Sequence, residues 1–315
     1  MLRNFDEVIE QAKKYGKMPI CVTVAQDKEV LQAVKLACDA ELVQPILVGN
    51  AAAIKLLLAE TGLPADTAIV DEPDSNKAAL TAVSLVHEGV AKVLMKGLIN
   101  SSDFLKAVLH DEVGLRTGRL LSHLAALEVP GDAKLTYFTD AGMNIAPNLR
   151  EKEDILVNAM LTLHGLGIEQ PNVAVLTANE QVSSKMPATT DARALAEMAA
   201  EGKLPDGIVE GPISFDVAVS REAALHKGLT SKISGQVDLF LMPNIETGNA
   251  LCKSLIYYAG SKMAGIVLGA TNPIVLTSRA DTPEGKLNSI ALACLAAEGG
   301  ENAVNSNLIS PDFMH

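Results

Sequence analysis

Short runs of apolar and β-branched residues alternate along the chain with longer segments in which apolar residues recur at helical spacing. This alternation predicts strands joined by crossover helices, and therefore an α/β fold with parallel sheets. The predicted strands are 19–24, 45–48, 67–70, 90–95, 121–127, 135–138, 173–176, 207–209, 237–242, 265–268 and 274–276.

The predicted helices lie between these runs. In 27–40 the apolar residues fall on one helical face, as expected of a helix packed on a sheet. Asn148 and Glu151 have the spacing of a capping box, and Thr282 followed by Pro283 is typical of another helix start. The predicted helices are 27–40, 148–164, 190–201, 214–226, 246–259 and one that begins after Thr282.

The length predicts two α/β domains. The chain has 315 residues, 48% of them hydrophobic, which is enough to bury a large core. A second series of strands and helices begins near residue 146, and the last strand leads back toward the first series. We therefore expect one domain to comprise 1–145 plus 270–315 and the other 146–269. No repeat or flexible linker is visible, so two apposed domains with a cleft between them are the simplest arrangement.

Charge and hydropathy exclude several classes of protein. A net charge of -12, without any block of Lys or Arg, argues against nucleic acid as a partner. No apolar run reaches the roughly 18 residues that span a bilayer. The first ten residues resemble neither a signal peptide nor a transit peptide. We expect a cytoplasmic protein with no membrane partner. The four cysteines lack CxxC spacing, which predicts free thiols rather than disulfides or a zinc site.

Candidate chemistry lies where polar residues follow apolar runs, since ligands of open parallel sheets bind beyond the carboxyl ends of strands. In so acidic a chain, an anionic substrate needs a local concentration of cations and helix N-termini. Lys96 follows one run and precedes Asn100. Arg116 lies between two glycines, and its guanidinium group is suited to bidentate phosphate binding. Each segment alone is also consistent with a solvated cation near an ordinary helix cap.

The second series of strands contains two comparable segments. Lys185 and Thr189 lie near the start of a predicted helix, where an ordinary N-cap is the alternative. Asn244, Glu246 and Asn249 follow a wholly apolar strand, where a rigid loop for domain packing is the alternative.

The segment after the last predicted strand combines a hydroxyl, a guanidinium and two carboxylates: Ser278, Arg279, Asp281 and Glu284. Capping a helix does not need all four groups, so this segment favours a function. Other catalytic signatures are missing, since the chain has no GxSxG, HExxH or Walker motif and no GxGxxG after its first strand. None of the six histidines is assigned to catalysis.

Together these segments resemble the phosphate acetyl/butyryltransferase family, most closely its phosphate butyryltransferase branch. The resemblance spans nearly the whole chain, and the set of motifs is specific although each motif alone is not. The matching stretches are LMKG (94–97), GLRTG (114–118), TDAGMNIAP (139–147), KMPAT (185–189), PNIETGN (243–249) and TSRAD (277–281).

The resemblance implies two domains of the isocitrate/isopropylmalate-dehydrogenase-like architecture, an active site in the cleft between them, and a homodimer. It also implies the reaction acyl-CoA + phosphate = acyl phosphate + CoA, without a metal or other cofactor. The branch favours butyryl, and thus butanoate metabolism. Ser278 and Arg279 match family residues that line the CoA site. The other residues expected to bind CoA or phosphate are Lys96, Asn100, Arg116, Lys185, Thr189, Asn244, Glu246 and Asn249.

We expect direct transfer in a ternary complex, with Ser278 and nearby cations stabilising the oxyanion. The sequence departs from the acetyltransferase pattern seven residues after Ser278, where Gly285 replaces an aspartate that is thought to deprotonate the CoA thiol. Asp281 or Glu284 is then the catalytic base, and we favour Asp281. Thiolate formation through local positive charge is the alternative.

Other functions stay open. Phosphate acetyltransferase activity is one, because one or two methylenes change pocket selectivity by only about 1–3 kcal/mol. A carrier-dependent phosphate acyltransferase would need a basic docking face, which is not visible. A nicotinamide-dependent decarboxylating dehydrogenase would need metal-binding aspartates in a suitable arrangement, which we do not find. A catalytically silent CoA-binding regulatory protein is the non-enzyme alternative, and the presence of Ser278 and Arg279 argues against it.

Overall fold

The computed structural model describes residues 2–277 and 281–305, and its alternating helices and strands confirm the α/β class. The strands are β1 (Met18–Thr23), β2 (Val43–Gly49), β3 (Ala68–Asp71), β4 (Val93–Lys96), β5 (Ser122–Glu128), β6 (Thr136–Thr139), β7 (Asn172–Leu176), β8 (Ile208–Ile213), β9 (Leu239–Leu241), β10 (Lys262–Leu268) and β11 (Ile274–Val275). The helices are α1 (Phe5–Lys13), α2 (Lys28–Asp39), α3 (Ala51–Thr61), α4 (Ser75–His87), α5 (Ser101–Val108), α6 (Leu149–Gly165), α7 (Pro187–Ala200), α8 (Phe215–Val219), α9 (Arg221–His226), α10 (Ile245–Ala259) and α11 (Pro283–Asn305).

Every predicted strand is present with small shifts at its ends. Helices α1, α3, α4 and α5 were not given bounds in the prediction, and two of the predicted helices differ from the structure. Helix α7 begins at Pro187 rather than at residue 190, because proline suits the first helical position. The predicted helix 214–226 is instead two helices, α8 and α9. They separate at Ser220, whose backbone is extended and whose side chain accepts a hydrogen bond from Ala223 N at 3.2 Å.

The contacts divide the chain into two compact units. Unit 1 consists mainly of Leu120–Met263, and unit 2 consists of Asn4–Arg119 and Ala264–Glu298. This division differs from the predicted domains, because residues 120–145 group with unit 1 and residues 264–269 with unit 2. Residues 120–145 contain β5 and β6, and β6 pairs in parallel with β9 of unit 1.

In unit 2 the strand order is β3-β2-β1-β4-β11-β10. Strands β3, β2, β1, β4 and β11 are parallel, as predicted, whereas β10 pairs antiparallel to β11. The connection between β10 and β11 covers only residues 269–273, which is too short for the crossover of a dozen or more residues that parallel strands need.

In unit 1 the strand order is β5-β6-β9-β7-β8. Strands β6, β9, β7 and β8 are parallel, as predicted, and only the direction of β5 differs, because it pairs antiparallel to β6. Residues 129–135 join β5 to β6 through Pro130 and Gly131, whose φ of 94° suits glycine in a tight turn.

Each unit has an apolar core on its sheet. In unit 1 the rings of Phe138 and Phe240 stack with their centroids 5.1 Å apart, and in unit 2 Ile20 and Leu94 are fully buried on neighbouring strands. Full burial of such a side chain stabilises the fold by about 1.5–3 kcal/mol. These cores fix the strands, and so fix the positions of the polar residues at the strand ends.

The four cysteines are free, as predicted. Burial raises the pKa of Cys21, Cys252 and Cys294 to about 12, so these thiols stay protonated and unreactive at neutral pH. Among the described residues, no helix is both long and apolar enough to cross a bilayer.

Candidate active site

The carboxyl ends of β1, β4 and β11 lie side by side in unit 2, since these strands are adjacent and parallel. We call this region, residues 23–26, 96–100, 276–277 and 281–284, the unit 2 edge. Thr23, which ends β1, is the register partner of Lys96, which ends β4. The chain leaves β11 through Leu276 and Thr277 on the other side of β4. Four of the predicted site residues lie in the described segments that form this edge: Lys96, Asn100, Asp281 and Glu284.

Gly97 brings the end of β4 against the end of β1. Its N–H donates to Thr23 O at 2.9 Å, and Leu98 N donates to Val24 O at 2.9 Å. A Cβ atom added to Gly97 would lie 2.3 Å from Thr23 O and 2.5 Å from Val24 O. Only glycine therefore allows this approach, which fixes the backbone next to Lys96.

Lys96 and Asn100 lie where the sequence predicts them. Lys96 is partly buried, and its Nζ lies 3.4 Å from Gly97 O. Asn100 caps α5: its Oδ1 accepts from Asp103 N at 2.8 Å, and its Nδ2 donates to Asp103 Oδ2 at 2.6 Å. The cap is thus Asn100 rather than the serines that follow it. The arrangement places a cation beside the positive end of a helix dipole.

Helix α11 begins at the unit 2 edge with the predicted cap, as Thr282 Oγ1 accepts a hydrogen bond from Gly285 N at 3.1 Å. Asp281 precedes this cap and is partly buried, whereas Glu284 lies exposed in the first turn. Both carboxylates therefore flank the helix start. The predicted residues Ser278 and Arg279 lie outside the described residues.

A buried lysine anchors the first turn of α11. The side chain of Lys286 is 3% exposed, and its Nζ lies 3.1 Å from Glu29 Oε2 in the first turn of α2. This ion pair ties the start of α11 to the start of α2, and thereby fixes the segment that holds Asp281 and Glu284.

Arg116 does not lie at the unit 2 edge, contrary to our interpretation of it as one of the strand-end cations. Its backbone pairs with Ala270, and Thr117 Oγ1 donates to Gly269 O at 2.6 Å. Ala270 lies in the connection that enters β11, whereas Lys96 lies where the parallel strand β4 ends. Arg116 therefore lies near the amino end of the parallel strand β11, whereas Lys96 lies at the carboxyl end of β4. Arg116 is exposed and pairs with Asp111 at 2.6 Å.

The carboxyl ends of β6, β9, β7 and β8 lie at one edge of unit 1. We call this region, residues 140–148, 177–190, 214 and 243–249, the unit 1 edge. Asp140 is the central hydrogen-bond acceptor of the unit 1 edge, and it is only 3% exposed. Its carboxylate accepts from the backbone N–H groups of His123 (3.0 Å), Gly142 (2.7 Å) and Met143 (2.8 Å). These bonds fix the loop that follows β6.

The start of α10 packs on this loop. A Cβ atom on Gly248 would lie 2.8 Å from both Ala141 Cα and Asp140 O, so the contact requires glycine. Asn249 Nδ2 donates to Ala141 O at 3.4 Å, and Asn244 caps α10 by accepting from Thr247 N at 2.9 Å. The remaining predicted residue here, Glu246, is exposed in the first turn of α10.

The segment between β7 and α7 holds the second predicted lysine. Lys185 is exposed, two residues before the first residue of α7. Thr189 is fully buried, and its Oγ1 accepts from Ser183 N at 2.9 Å and donates to Met186 O at 2.8 Å. Helix α7 has no side-chain cap, so the alternative of an ordinary N-cap does not apply to this helix start. A cation beside an uncapped helix N-terminus is suited to bind an anion.

Sequence reasoning missed the role of Asp140. The motif TDAGMN belongs to the stretches that carry the family resemblance, but no role was assigned to its residues. Asp140 follows a predicted apolar strand directly, and that position is the signal that identifies it. Among residues 2–277 and 281–305, no group of three or more His, Cys, Asp or Glu is arranged to hold a metal ion.

Known proteins of similar sequence and structure identify the family of this chain. The profile of the phosphate acetyl/butaryl transferase family matches residues 66–294. The chain is 46% identical to the phosphate butyryltransferase of Clostridium acetobutylicum, over 94% of this chain and 99% of that protein. A branched-chain phosphotransacylase from Enterococcus faecalis superposes with a TM-score of 0.78 at 32% identity, covering 89% of this chain and 99% of that one.

The α/β fold places Lys96 and Lys185 near helix starts, an arrangement suited to anions, and the relatives of this chain are transferase enzymes. The chain belongs to the phosphate acetyl/butaryl transferase family. The predicted dehydrogenase-like architecture is also supported. A 4-hydroxythreonine-4-phosphate dehydrogenase from Klebsiella pneumoniae superposes with a TM-score of 0.56 over 89% of this chain and 100% of that one, and at 16% identity it shows the fold alone.

Proposed function

We propose that this protein transfers a short acyl group, preferably butyryl, between coenzyme A and inorganic phosphate. The observation that carries the proposal is the 46% identity, over 94% of this chain, to a phosphate butyryltransferase. The two edges support it, because each has a lysine, Lys96 or Lys185, beside the start of a helix. Both substrates are polyanions, which a chain of net charge -12 can bind only where cations and helix N-termini are concentrated.

The transfer is direct. A phosphate oxygen attacks the thioester carbonyl carbon, the new C–O bond forms, and the C–S bond breaks. The sulfur leaves with the electron pair as a thiolate, which takes up a proton to give free CoA. Ser278 and the neighbouring cations stabilise the oxyanion that forms during attack. The reaction involves no change of oxidation state, and the proposal includes no metal or cofactor.

A ternary complex has a kinetic signature. When phosphate and acyl-CoA are varied together, double-reciprocal plots should intersect, since both substrates bind before any product leaves. Parallel lines, or an isolable acyl-Ser278, would instead show a covalent acyl-enzyme and contradict direct transfer.

Asp281 is our choice for the base that deprotonates the CoA thiol in the reverse direction. Its position next to the cap of α11 supports this role, as does its place in the TSRAD motif, three residues after Ser278. Asp281→Asn should lower the rate from acyl phosphate plus CoA by about 100-fold. Glu284→Gln, three residues further on, is the matched control and should retain most of the rate. A large loss of rate in Glu284→Gln, with little change in Asp281→Asn, would identify Glu284 as the base.

Acyl preference is tested with a series of substrates. Phosphate-dependent release of CoA should be compared for acetyl-, propionyl-, butyryl- and isobutyryl-CoA, and the kcat/KM should be highest at four carbons. A maximum at acetyl-CoA would favour a phosphate acetyltransferase. No release from any of them would favour a carrier-dependent enzyme or a CoA-binding regulatory protein.

We further propose that the protein is a cytoplasmic homodimer. Helix α10 supports an apolar contact between copies, since Tyr257 and Tyr258 are 77% and 93% exposed near its end. Glu246 and Lys253 are its only charged residues, so two acidic chains would repel each other less at this helix. Light scattering should give twice the mass of 33.1 kDa, and Tyr257→Ser/Tyr258→Ser should shift it toward the monomer. A monomer in the unmodified protein would contradict the dimer.

A further inference from the structure

Four polar side chains form a cluster in unit 1 that the family motifs do not include. Glu180 lies in the segment after β7, Ser214 follows β8, Asp216 lies in α8, and Lys227 follows α9. We call these residues the Lys227 cluster. It joins three separate parts of the chain, at positions 180, 214–216 and 227, and one of these belongs to the segment that holds Lys185.

Lys227 is the centre of the cluster. Its Nζ lies 3.0 Å from Glu180 Oε1, 3.1 Å from Ser214 Oγ and 3.0 Å from Asp216 Oδ2. Ser214 Oγ also contacts Glu180 Oε1 and lies 2.6 Å from Asp216 Oδ1. A hydroxyl has one proton, so Ser214 can donate to only one carboxylate at a time. The second carboxylate depends on the ammonium group of Lys227.

The charges in the cluster stabilise one another. Hydrogen bonding from Ser214, and then from Lys227, lowers the pKa of Asp216 to about 2 and also lowers the pKa of Glu180. Asp216 and Glu180 in turn raise the pKa of Lys227. The lysine therefore stays protonated at neutral pH and cannot accept a proton from Ser214, which excludes a Ser–Lys nucleophile in this cluster.

Glu180 connects the cluster to the segment 177–189. Just before Glu180, Thr177 Oγ1 donates to Asn179 O at 2.6 Å. Gln181 N, which follows Glu180, donates to Asn179 Oδ1 at 3.0 Å, so this bond spans Glu180. Lys185 N donates to Ser183 Oγ at 3.3 Å, close to the start of α7. The side chain of Glu180 is 20% exposed, whereas Lys185 is exposed. The segment is thus fixed at Glu180 on one side and at Thr189 on the other.

We propose that the Lys227 cluster positions the segment 177–189, and through it Lys185, to bind an anionic substrate. The cluster makes no contact with the reacting atoms in this proposal, so Glu180, Ser214 and Lys227 are positioning residues. The inference depends on the proposed function, because it assigns Lys185 a substrate to bind. The substrate class is a phosphate-bearing anion, either inorganic phosphate or the phosphates of an acyl-CoA.

The test compares Michaelis constants. Lys185→Ala should raise the KM for one of the two substrates, phosphate or butyryl-CoA, and so identify which anion Lys185 binds. Lys227→Met should raise the KM for the same substrate by about tenfold, equivalent to roughly 1.4 kcal/mol, with a smaller change in kcat. Lys227→Arg should restore most of the affinity, since a guanidinium group can pair with both carboxylates.

Two further comparisons separate positioning from general damage. Lys203→Met removes an exposed lysine that pairs locally with Glu201, and it should leave both Michaelis constants unchanged. In the Lys185→Ala background, Lys227→Met should have little further effect on KM, because the segment then has no cation to position. Fully multiplicative effects of the two changes would overturn the proposal, as would an unchanged KM in Lys227→Met.

Hydrogen exchange makes the result independent of activity. Backbone amides in 178–186 should exchange faster in Lys227→Met than in Lys203→Met, while amides of β7 stay equally protected. Equal exchange in 178–186 would contradict the positioning role. If the unmodified protein releases no CoA, the proposed reaction fails, and the exchange experiment still decides whether the cluster holds this segment.

Discussion

Asn144 Nδ2 donates a 2.7 Å hydrogen bond to the carboxylate of Asp140, four residues earlier in the loop that follows β6. The same amide group donates to Leu121 O at 2.9 Å. The pair therefore ties the loop to the start of β5. A carboxylate that is 3% exposed is thus stabilised by several N–H donors, and it holds the surface on which α10 begins.

Asp140→Asn should destabilise unit 1 while removing no packing volume. The new amide group would face backbone N–H donors that now have a carboxylate acceptor, and each buried donor left unsatisfied costs about 1–3 kcal/mol. Urea denaturation should report the loss, and kcat/KM should fall with it. Asp132→Asn, at an exposed residue of the turn between β5 and β6, is the control and should change neither. Equal stability of the two variants would contradict the role given to Asp140.

Gly97→Ala should move the end of β4 away from β1. The added methyl group meets two carbonyl oxygens at less than 3 Å, so the strands must separate or the backbone must strain. We expect a loss of about 1–3 kcal/mol in the free energy of unfolding. Because Lys96 lies next to this contact, the KM for an anionic substrate should also rise. Gly16→Ala supplies the comparison without a steric contact: nothing lies within 4 Å of a Cβ there, so its cost comes from its φ of 79° alone, and the KM should not change.

Lys152→Met should be strongly destabilising. The side chains of Lys152 and Asp191 are only 6% and 20% exposed and are 2.7 Å apart, which joins α6 to α7. Removing one partner of a buried pair costs about 3–5 kcal/mol, because the other charge is left without compensation. Lys152→Met/Asp191→Leu should recover much of the loss in thermal unfolding. Lys35→Met, which breaks the more exposed pair with Asp39, should cost less than about 1 kcal/mol.

Acid should weaken the Lys227 cluster in a defined window. The folded pKa of Asp216 is about 2, below its ordinary 3.8, so its contribution is fully present above the ordinary value and is lost as pH falls through the folded one. Ser214→Ala removes the largest cause of this shift. The difference in free energy of unfolding between the unmodified protein and Ser214→Ala should be constant near neutral pH and shrink between about pH 4 and pH 2. A difference that does not change with pH would contradict this assignment.

The strands were predictable from the sequence because each is a short apolar run with turn residues on both sides. The directions of the strands were harder to predict. Strand β5 is antiparallel to β6, and the signal was the short 129–135 connection with its Pro-Gly pair. The capping box of α6 was predicted and is confirmed, since Asn148 and Glu151 are a local pair whose geometry depends only on their spacing.

Site residues that depend on distant parts of the chain were harder to place. Arg116 lies beside Ala270, 154 positions away in sequence, and local spacing contains no information about that pairing. Glu180 and Lys227 are separated by 47 positions, which is why the cluster was not foreseen. The positions of Lys96 and Lys185 were predictable, because both follow apolar strands and precede helices. Their roles as substrate ligands stay a prediction.

The most direct test of the proposed reaction measures both products at once. The unmodified protein is given butyryl-CoA with and without phosphate, free CoA is measured as thiol, and butyryl phosphate is measured by ³¹P NMR. We predict one butyryl phosphate for each CoA released, no release without phosphate, and a large loss of both products in Ser278→Ala. Release of CoA that does not need phosphate would instead identify thioester hydrolysis, and absence of both products would contradict the acyl transfer.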